Sequence, residues 1–530
     1  MFYNYLTGYK AYLKKHVKSV FPFSNTTGMT NEEVRAAVRR MTVESALPIP
    51  EESYNWFAQY FRYVGDKDAV LVYDNRTGVW HYERSDMSLR ALITDYFTAV
   101  SEVASQHDDI LLKTYASSFF ASSRISQIAE RIKSSVAVRI QRGVDITLMT
   151  EQYRYLPTTD GRRVVIDMNA DTFNAEVKTF AETQDMMFTG VGAIPIELGD
   201  DWTPHYWLAR LDEYTSYTGI TPAEHAARKD YFEKILAYMF APYNYNQVLL
   251  YWLGESGKNG KSTVLKVVQD LLGPLATRMN SELLNAKPAA SFKKDDSLAA
   301  TDGRSLLIFN EIDERMVVST QNIKDLTEGG RDEFGNRIMT TVRPAYSPNY
   351  EVNIAGTPLV VANSLLNFGD WSALEPAFRR LILMPFDYII AKEDPTVLNK
   401  LAQEYPKILR WFYEIYFKHK GIKLKDEPKP TSIERRYIQF RKDSDIIGLF
   451  WEDCVVDDPN SRLLRSDLYK MYVEYCKANG RIPIKNKGSN GFSYFIDERF
   501  IKRGYREIRI NGQVLIGGIA RSTYYEKEIV

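Results

Sequence analysis

The stretch QVLLYWLGESGKNGKSTVLKVVQDLLG, Gln247 to Gly273, restricts the fold of this chain more than any other. Val248 to Leu253 is an uninterrupted apolar run and reads as a buried strand. Val264, Leu265, Val267, Val268, Leu271 and Leu272 recur at helical spacing, and Gly273-Pro274 ends that helix. A glycine-rich loop joins the two and delivers Gly260-Lys261-Ser262-Thr263 to the helix start. Free N–H groups of the loop and the positive end of the helix dipole make such a junction an anion site. The candidate ligand-binding residues are Gly257, Asn259, Gly260, Lys261, Ser262 and Thr263. In this pattern the lysine reaches the β- and γ-phosphates of ATP, and the Ser262 hydroxyl ligates Mg²⁺. The spacing departs from the usual one. The position five residues before the Gly-Lys pair is Glu255, with Gly254 one residue earlier.

From about Val248 to Phe386 short apolar runs alternate with helical stretches, the pattern of a sheet covered by helices. Leu306 to Phe309 is a second strand ending in Asn310-Glu311. Glu311, beyond a strand end beside the phosphate loop, is the candidate catalytic acid and a candidate metal neighbour. Asn310 stands where many such ATPases carry an acid, so metal coordination falls mainly to Ser262 and phosphate oxygens. A third strand, Pro358 to Ala362, ends in Asn363, an amide placed to sense a γ-phosphate or hold water. Arg379 and Arg380 precede the buried run Leu381 to Leu383. Unpaired arginines are too costly for a core, so they are either bridged or offered to a neighbour's nucleotide.

The rest of the chain sets limits. Its 530 residues predict about three to five domains at roughly 100 to 200 residues each. Hydrophobic residues are 45% and charged residues 26%, as in folded soluble proteins. Lys plus Arg and Asp plus Glu both total 68, which excludes a polycation that coats nucleic acid by bulk charge. Two cysteines, Cys454 and Cys476, make no disulfide framework and fit a reducing, cytoplasmic compartment. No metal-ligand spacing and no membrane-length apolar run is present.

Val70 to Tyr73 and Val79 to Tyr82 predict a hairpin turning at Gly78. Phe232, Ile235, Leu236 and Met239 give one apolar helix face. Lys418 to Ser432 reads as a charged linker, after which Thr431 and Glu434 form a capping-box pattern. Asp445 to Cys454, Ser466 to Ala478 with Ser466 as N-cap, and Phe492 to Lys502 read as helices. A hairpin follows, turning at Asn511-Gly512. Lys485, Lys487, Arg499, Lys502, Arg503, Arg506 and Arg509 make this tail basic, which fits either a nucleic-acid surface or a solvated charged face. Asp66-Lys67-Asp68 is a lone Asp-x-Asp and reads as a polar turn rather than a primase metal motif.

NGKST, LLIFNE, KDLTEGGRD, PLVVAN and FRRLILMPF, in that order, resemble superfamily 3 helicases, in particular the poxvirus and phage/plasmid primase-helicase branch. The resemblance is strongest over Gln247 to Phe386; VLVYDNRTGVWHYERSD and the tail extend it weakly. In the family's third motif Lys324 and Thr327 fit, while Glu328 and Arg331 interrupt it. The resemblance implies an α/β fold: an AAA+-like P-loop ATPase core over 231–417, a mixed α+β N-terminal domain over 1–230, and a C-terminal winged-helix-like domain over 431–530. It implies Glu311 as catalytic acid, Asn363 as sensor, and Arg379 or Arg380 as a finger reaching the neighbouring subunit. It also implies a hairpin in the ring channel, with strands Ile338 to Arg343 and Tyr350 to Ala355. Lys324, Arg337, Arg343 and Tyr346 are the DNA-contact candidates. The implied activity is that of a phage or mobile-element replicative helicase. It would be ring-forming and hexameric in the family's manner, use ATP and Mg²⁺, move 3′ to 5′ on single-stranded or forked DNA, and work beside a polymerase or primase. An origin-binding initiator with weak turnover and a bifunctional primase-helicase are the alternatives.

Overall fold

The computed structural model describes residues 61–64, 69–74, 79–83, 122–134 and most of 152–530, with single positions near 30 and 90. Gaps in the long stretch include 256, 311, 346–348, 369–373, 480–482 and 487–490.

Strands β1 (Phe61–Val64), β2 (Ala69–Asp74) and β3 (Val79–Glu83) form an antiparallel sheet. The expected hairpin is β2–β3, with Tyr73 opposite Trp80. Gly78 and Asp66-Lys67-Asp68 lie outside the described residues. Helix α1 (Ser122–Ser134) precedes a second antiparallel sheet of β4 (Tyr153–Pro157), β5 (Arg163–Asp167) and β6 (Ala175–Val177). Helices α2 (His205–Tyr214) and α3 (Pro222–Met239) lead to the centre. Thr221 caps α3 by accepting from the Glu224 N–H, and Pro222 stands first in the helix, where its missing N–H costs nothing. All four residues of the expected face, Phe232, Ile235, Leu236 and Met239, are buried.

The centre begins with β7 (Leu249–Leu253), α4 (Lys261–Leu272), β8 (Ala276–Arg278), α5 (Lys294–Ala299) and β9 (Leu306–Asn310). After β10 (Val317–Val318) and α6 (Thr320–Thr327) comes an antiparallel hairpin, β11 (Met339–Val342) and β12 (Tyr350–Asn353). Then follow β13 (Thr357–Ala362), β14 (Asn367–Phe368), α7 (Leu374–Phe378) and β15 (Leu381–Pro385). Five strands form one parallel sheet in the order β15-β7-β13-β9-β8. Inner parallel strands are covered on both faces, which is why β7, β13 and β9 read as apolar runs, unlike the edge strand β8. Leu250 and Trp252 join one cluster, with α3 and α4; Leu249, Tyr251 and Leu253 join the other. Trp252 meets Phe232 edge-on at 5.8 Å.

Helices α8 (Val397–Gln403) and α9 (Tyr405–Lys418) complete the first face. Leu156, Val164 and Ile166 of the β4–β5 pair enter the same cluster. The stretch read as a linker is irregular, yet it buries Leu424 completely. Helix α10 (Thr431–Ser444) follows, and the expected capping box is absent. Thr431 is already helical, the N-cap is Pro430, and no side chain of the helix caps it. The Glu224 carboxylate from α3 accepts from Thr431 N at 3.2 Å and Ser432 N at 2.8 Å instead. A tertiary partner thus supplies the acceptor that the local pattern promised. Nearby, Arg228 is fully buried and fully engaged: it donates to Thr215 O, Ser432 Oγ and Pro385 O and pairs with Asp387 at 3.0 Å. Asp387 is about half exposed and its charge is screened by solvent, so it is the buried hydrogen bonds of Arg228 that tie α3, the end of β15 and α10 together.

The C-terminal region holds α11 (Ile446–Cys454), β16 (Val455–Leu464), α12 (Arg465–Ala478), α13 (Phe492–Arg499), β17 (Arg506–Ile510) and β18 (Gln513–Arg521). Its sheet is antiparallel in the order β16-β18-β17, and a cluster of its own includes Phe450, Tyr472, Phe492 and Ile516. Asp445 caps α11, accepting from Gly448 N. Ser466 is not the cap of α12: the helix starts at Arg465, whose guanidinium pairs with Asp497 and Glu507. Asn511 and Gly512 both have positive φ, 50° and 77°, as the two-residue hairpin requires. Among the described residues no helix is long and apolar enough to cross a membrane.

Candidate functional site

Strand β7 ends at Leu253 and the chain turns through the loop into α4. Gly260 is left-handed at φ 81°, and a Cβ there would lie 2.5 Å from the Tyr214 ring of α2. Glycine is therefore required twice over, by torsion and by the ring packed against it. Gly254 is required by proximity: a Cβ would overlap the Asn259 amide and approach Lys261 Nζ to 3.0 Å. The off-pattern spacing has its reason here. The crowded position is Gly254, whereas Glu255 is exposed and pairs with Arg436 of α10. A Cβ on Gly257 would meet open space, so packing does not demand that glycine. Asn259 is buried; its amide donates to Phe386 O at 3.3 Å and its carbonyl accepts from Lys261 N at 3.4 Å.

Lys261 is only 5% exposed. Its Nζ donates to Ala362 O at 2.6 Å, Asn363 Oδ1 at 2.7 Å and Gly254 O at 3.3 Å. The structure thus brings together Lys261 and Asn363, from the carboxyl ends of the neighbouring strands β7 and β13. Burial pushes the Lys261 ammonium down to about 8. Ser262 is exposed and Thr263 half-buried at the first turn of α4, where helix N–H groups lack intrahelical partners. Thr263 also meets Tyr214, whose hydroxyl pKa is raised by burial. Asn310 ends β9, next to β13 in the sheet. Glu311 lies outside the described residues. The carboxyl ends of β7, β13 and β9 therefore present a lysine, a serine and two amides around a glycine loop. Ligands of open parallel sheets bind at such carboxyl ends, where the strand order reverses.

Arg379 and Arg380 stand at the other end of the sheet. Arg380 O accepts from Leu249 N, at the start of β7, while Lys261 follows its finish. Four residue steps of strand separate the two ends by about 13 Å. One chain does not bring these arginines to its own Lys261. Arg379 is exposed, and Arg380 donates to Pro376 O at 3.0 Å. Among the described residues neither makes an ion pair.

Of the DNA-contact candidates, Lys324 is exposed on α6. Arg337 is half-buried, and desolvation lowers its pKa to about 10. Arg343 follows β11 with an exposed side chain. Tyr346 lies outside the described residues. Asp295 and Asp296 of α5 hold this end of the hairpin by accepting from Arg343 N at 3.1 Å and Ala345 N at 2.8 Å. In the tail, Arg506 and Arg509 are exposed, the latter paired with Glu507 at 3.3 Å. Lys487, Lys502, Arg503 and the Arg499 side chain lie outside the described residues. Sequence reasoning missed Tyr214, Asp295, Asp296 and Arg436, whose local sequence carries no signal of these distant partners.

Residues 442–514 match the family model described as Poxvirus D5 protein-like. A protein of Frog virus 3 (isolate Goorha) named "Putative helicase 022R" is 22% identical over 278 residues, covering 50% of this chain and 27% of that protein. A "Putative primase" of African swine fever virus (isolate Pig/Kenya/KEN-50/1950) is 25% identical over 252 residues, covering 44% of this chain and 25% of that one. The matched part is thus about a quarter of the length of these relatives. Among solved structures, the apo A form of the NrS-1 C-terminal region aligns over 70% of this chain and 97% of that one, with a TM-score of 0.35 and 8% identity. On these sequence matches, this chain is similar to the poxvirus-type primase-helicase family.

Proposed function

We propose that this chain is the motor of a replicative DNA helicase: an ATPase of AAA+-like P-loop type that assembles into a ring and moves on single-stranded DNA. One observation carries the reading. Lys261 follows a left-handed glycine at the first helical position after β7, and its Nζ lies 2.7 Å from the side chain of Asn363, the residue just past the adjacent strand β13. The internal acceptors around Lys261 Nζ, Gly254 O, Ala362 O and Asn363 Oδ1, are ones a phosphate can replace.

In this reading Gly257, Asn259, Gly260, Lys261 and Thr263 bind the triphosphate. Ser262, with Glu311 near, holds Mg²⁺, which when bound neutralises phosphate charge. Glu311 takes the proton of the attacking water and Asn363 senses the γ-phosphate. Arg379 or Arg380 reaches the site of the next subunit, which agrees with their place at the far end of the sheet. Such a finger contributes about 10³ to 10⁵ in rate. The β11–β12 hairpin, with Lys324, Arg337, Arg343 and Tyr346 in and around it, meets DNA. The region 1–230 serves assembly, 231–417 hydrolysis and 431–530 a winged-helix-like contact with DNA.

Forked duplexes of opposite polarity, wild type beside Lys261→Ala, test this. The wild type unwinds the fork that requires 3′ to 5′ movement, and Lys261→Ala loses both unwinding and DNA-stimulated ATP hydrolysis. Normal unwinding by Lys261→Ala removes the assignment. A second reading, a bifunctional primase-helicase, draws on the name carried by the African swine fever virus relatives. A primer-synthesis assay separates it from a helicase alone.

A further inference from the structure

At the amino end of β15 a cavity of about 530 Å³ opens between the strand, the irregular stretch before α10, and α10 itself. Its wall carries four cationic side chains, Arg379, Arg380, Lys425 and Lys429, against one carboxylate, Asp426. Like charges gathered on one wall repel unless an anion joins them. Among the described residues Arg379, Arg380 and Lys425 have no ion pair. Lys429 is the engaged member, 3.8 Å from Glu434 and 5.2 Å from the Tyr437 ring centre. Arg380 Nε is buried with no hydrogen-bond acceptor, a state that is unfavourable until an acceptor arrives. The Lys425 side chain is largely exposed, yet its ammonium pKa is lowered, first by partial desolvation and then by the charge of Arg380, with Arg379 adding less. The size suits a small ligand, and guanidinium groups are forked donors suited to phosphate oxygens.

We propose that Arg379, Arg380, Lys425 and Lys429 form one phosphate-binding pocket that takes a polyphosphate chain. Two of its cations come from the stretch that leads into α10. The pocket therefore couples phosphate at the end of the sheet to the helix on which Arg436 holds Glu255 of the glycine loop. Tyr437 completes the coupling: its hydroxyl donates to Phe378 O at 2.7 Å, beside the arginines. The inference shares the two arginines with the reading above and rests on that reading only for where the phosphate comes from.

The probe is inorganic tripolyphosphate, titrated calorimetrically into the full chain carrying Lys261→Ala so that the glycine loop does not contribute its lysine. That variant binds, Lys261→Ala/Lys425→Gln binds about tenfold more weakly, and Lys425→Arg in place of Lys425→Gln restores affinity, the loss of one charge-assisted contact being worth about that much. Lys425 is exposed, so melting curves of the paired variants coincide. Equal affinity of the Lys425 and Gln forms, or no binding by either, overturns the proposal. ATP-dependent self-association, followed by sedimentation, identifies the source of the phosphate. Its loss in Lys425→Gln assigns the phosphate to a neighbouring copy's nucleotide. Its persistence in that variant, or its absence from the wild type, assigns the phosphate to polyphosphate free in solution. ATP hydrolysis that survives Lys261→Ala sinks the motor reading and leaves the tripolyphosphate result standing.

Discussion

At the residue scale, Lys261 is the position where chemistry and folding oppose each other. Burial lowers its pKa from the usual 10.5 to about 8. Between those values the unfolded chain binds more protons than the folded one. The lysine's contribution to stability therefore rises with pH across that window, and the penalty for its buried charge is full below about pH 8. A bound phosphate reverses the shift by placing negative charge beside the ammonium. Nucleotide binding is then expected to take up a fraction of a proton near pH 8.5, and affinity to fall as pH rises. Calorimetry at that pH in buffers of different ionisation heat measures the uptake; zero uptake rejects Lys261 as the phosphate partner. Lys261 was legible in the sequence because the glycine torsion, the helix start and the lysine are neighbours in the chain. Tyr214, which packs on Gly260 from α2, was not, because only the folded chain brings them together.

At the element scale, strands were easier to read than caps. The parallel strands β7, β9 and β13 are apolar without interruption because both faces are covered, and that pattern survives without knowing what covers them. Caps depend on which acceptor is nearest. Thr431 and Glu434 carried the right spacing, but Glu224 from another helix took the two N–H groups. The β11–β12 hairpin was placed to within a residue or two, while its anchoring by Asp295 and Asp296 came only from the fold. That anchoring uses backbone N–H groups and leaves the Arg343 side chain exposed. Arg343→Ala is expected to weaken single-strand DNA binding and to reduce the dependence of log affinity on log salt by about one unit or slightly less, the share of one phosphate contact. An unchanged slope excludes that contact.

At the scale of the whole molecule, the common direction of the parallel strands separates the parts of the proposed site. Lys261 and Asn363 share the carboxyl end of the sheet, and Arg379 and Arg380 occupy the amino end. In the proposed motor the site is therefore completed by a second copy, one giving the lysine end of its sheet and the next the arginine end. Arg380→Ala and Lys261→Ala are each expected to lose ATP hydrolysis alone. An equal mixture is expected to regain about a quarter of the wild-type junctions, because an intact lysine must meet an intact arginine across a head-to-tail contact. Should Arg379 be the finger, Arg379→Ala replaces Arg380→Ala in the mixture. No recovery with either arginine variant argues against a shared site.

The sequence by itself determined the strand, glycine loop and helix around Lys261, the apolar strands of the centre and the Asn-Gly hairpin of the tail. Each rests on torsion preferences and burial patterns that act over a few residues. Tertiary structure alone decided that β13 lies beside β7, which sets Asn363 against Lys261 across about a hundred residues of chain, the length between their positions. It also decided that Glu224 caps α10, and that Lys425 and Lys429 share a cavity with the arginines before β15. These are matters of which elements become neighbours, and that is set by the burial of whole faces rather than by any local run of residues.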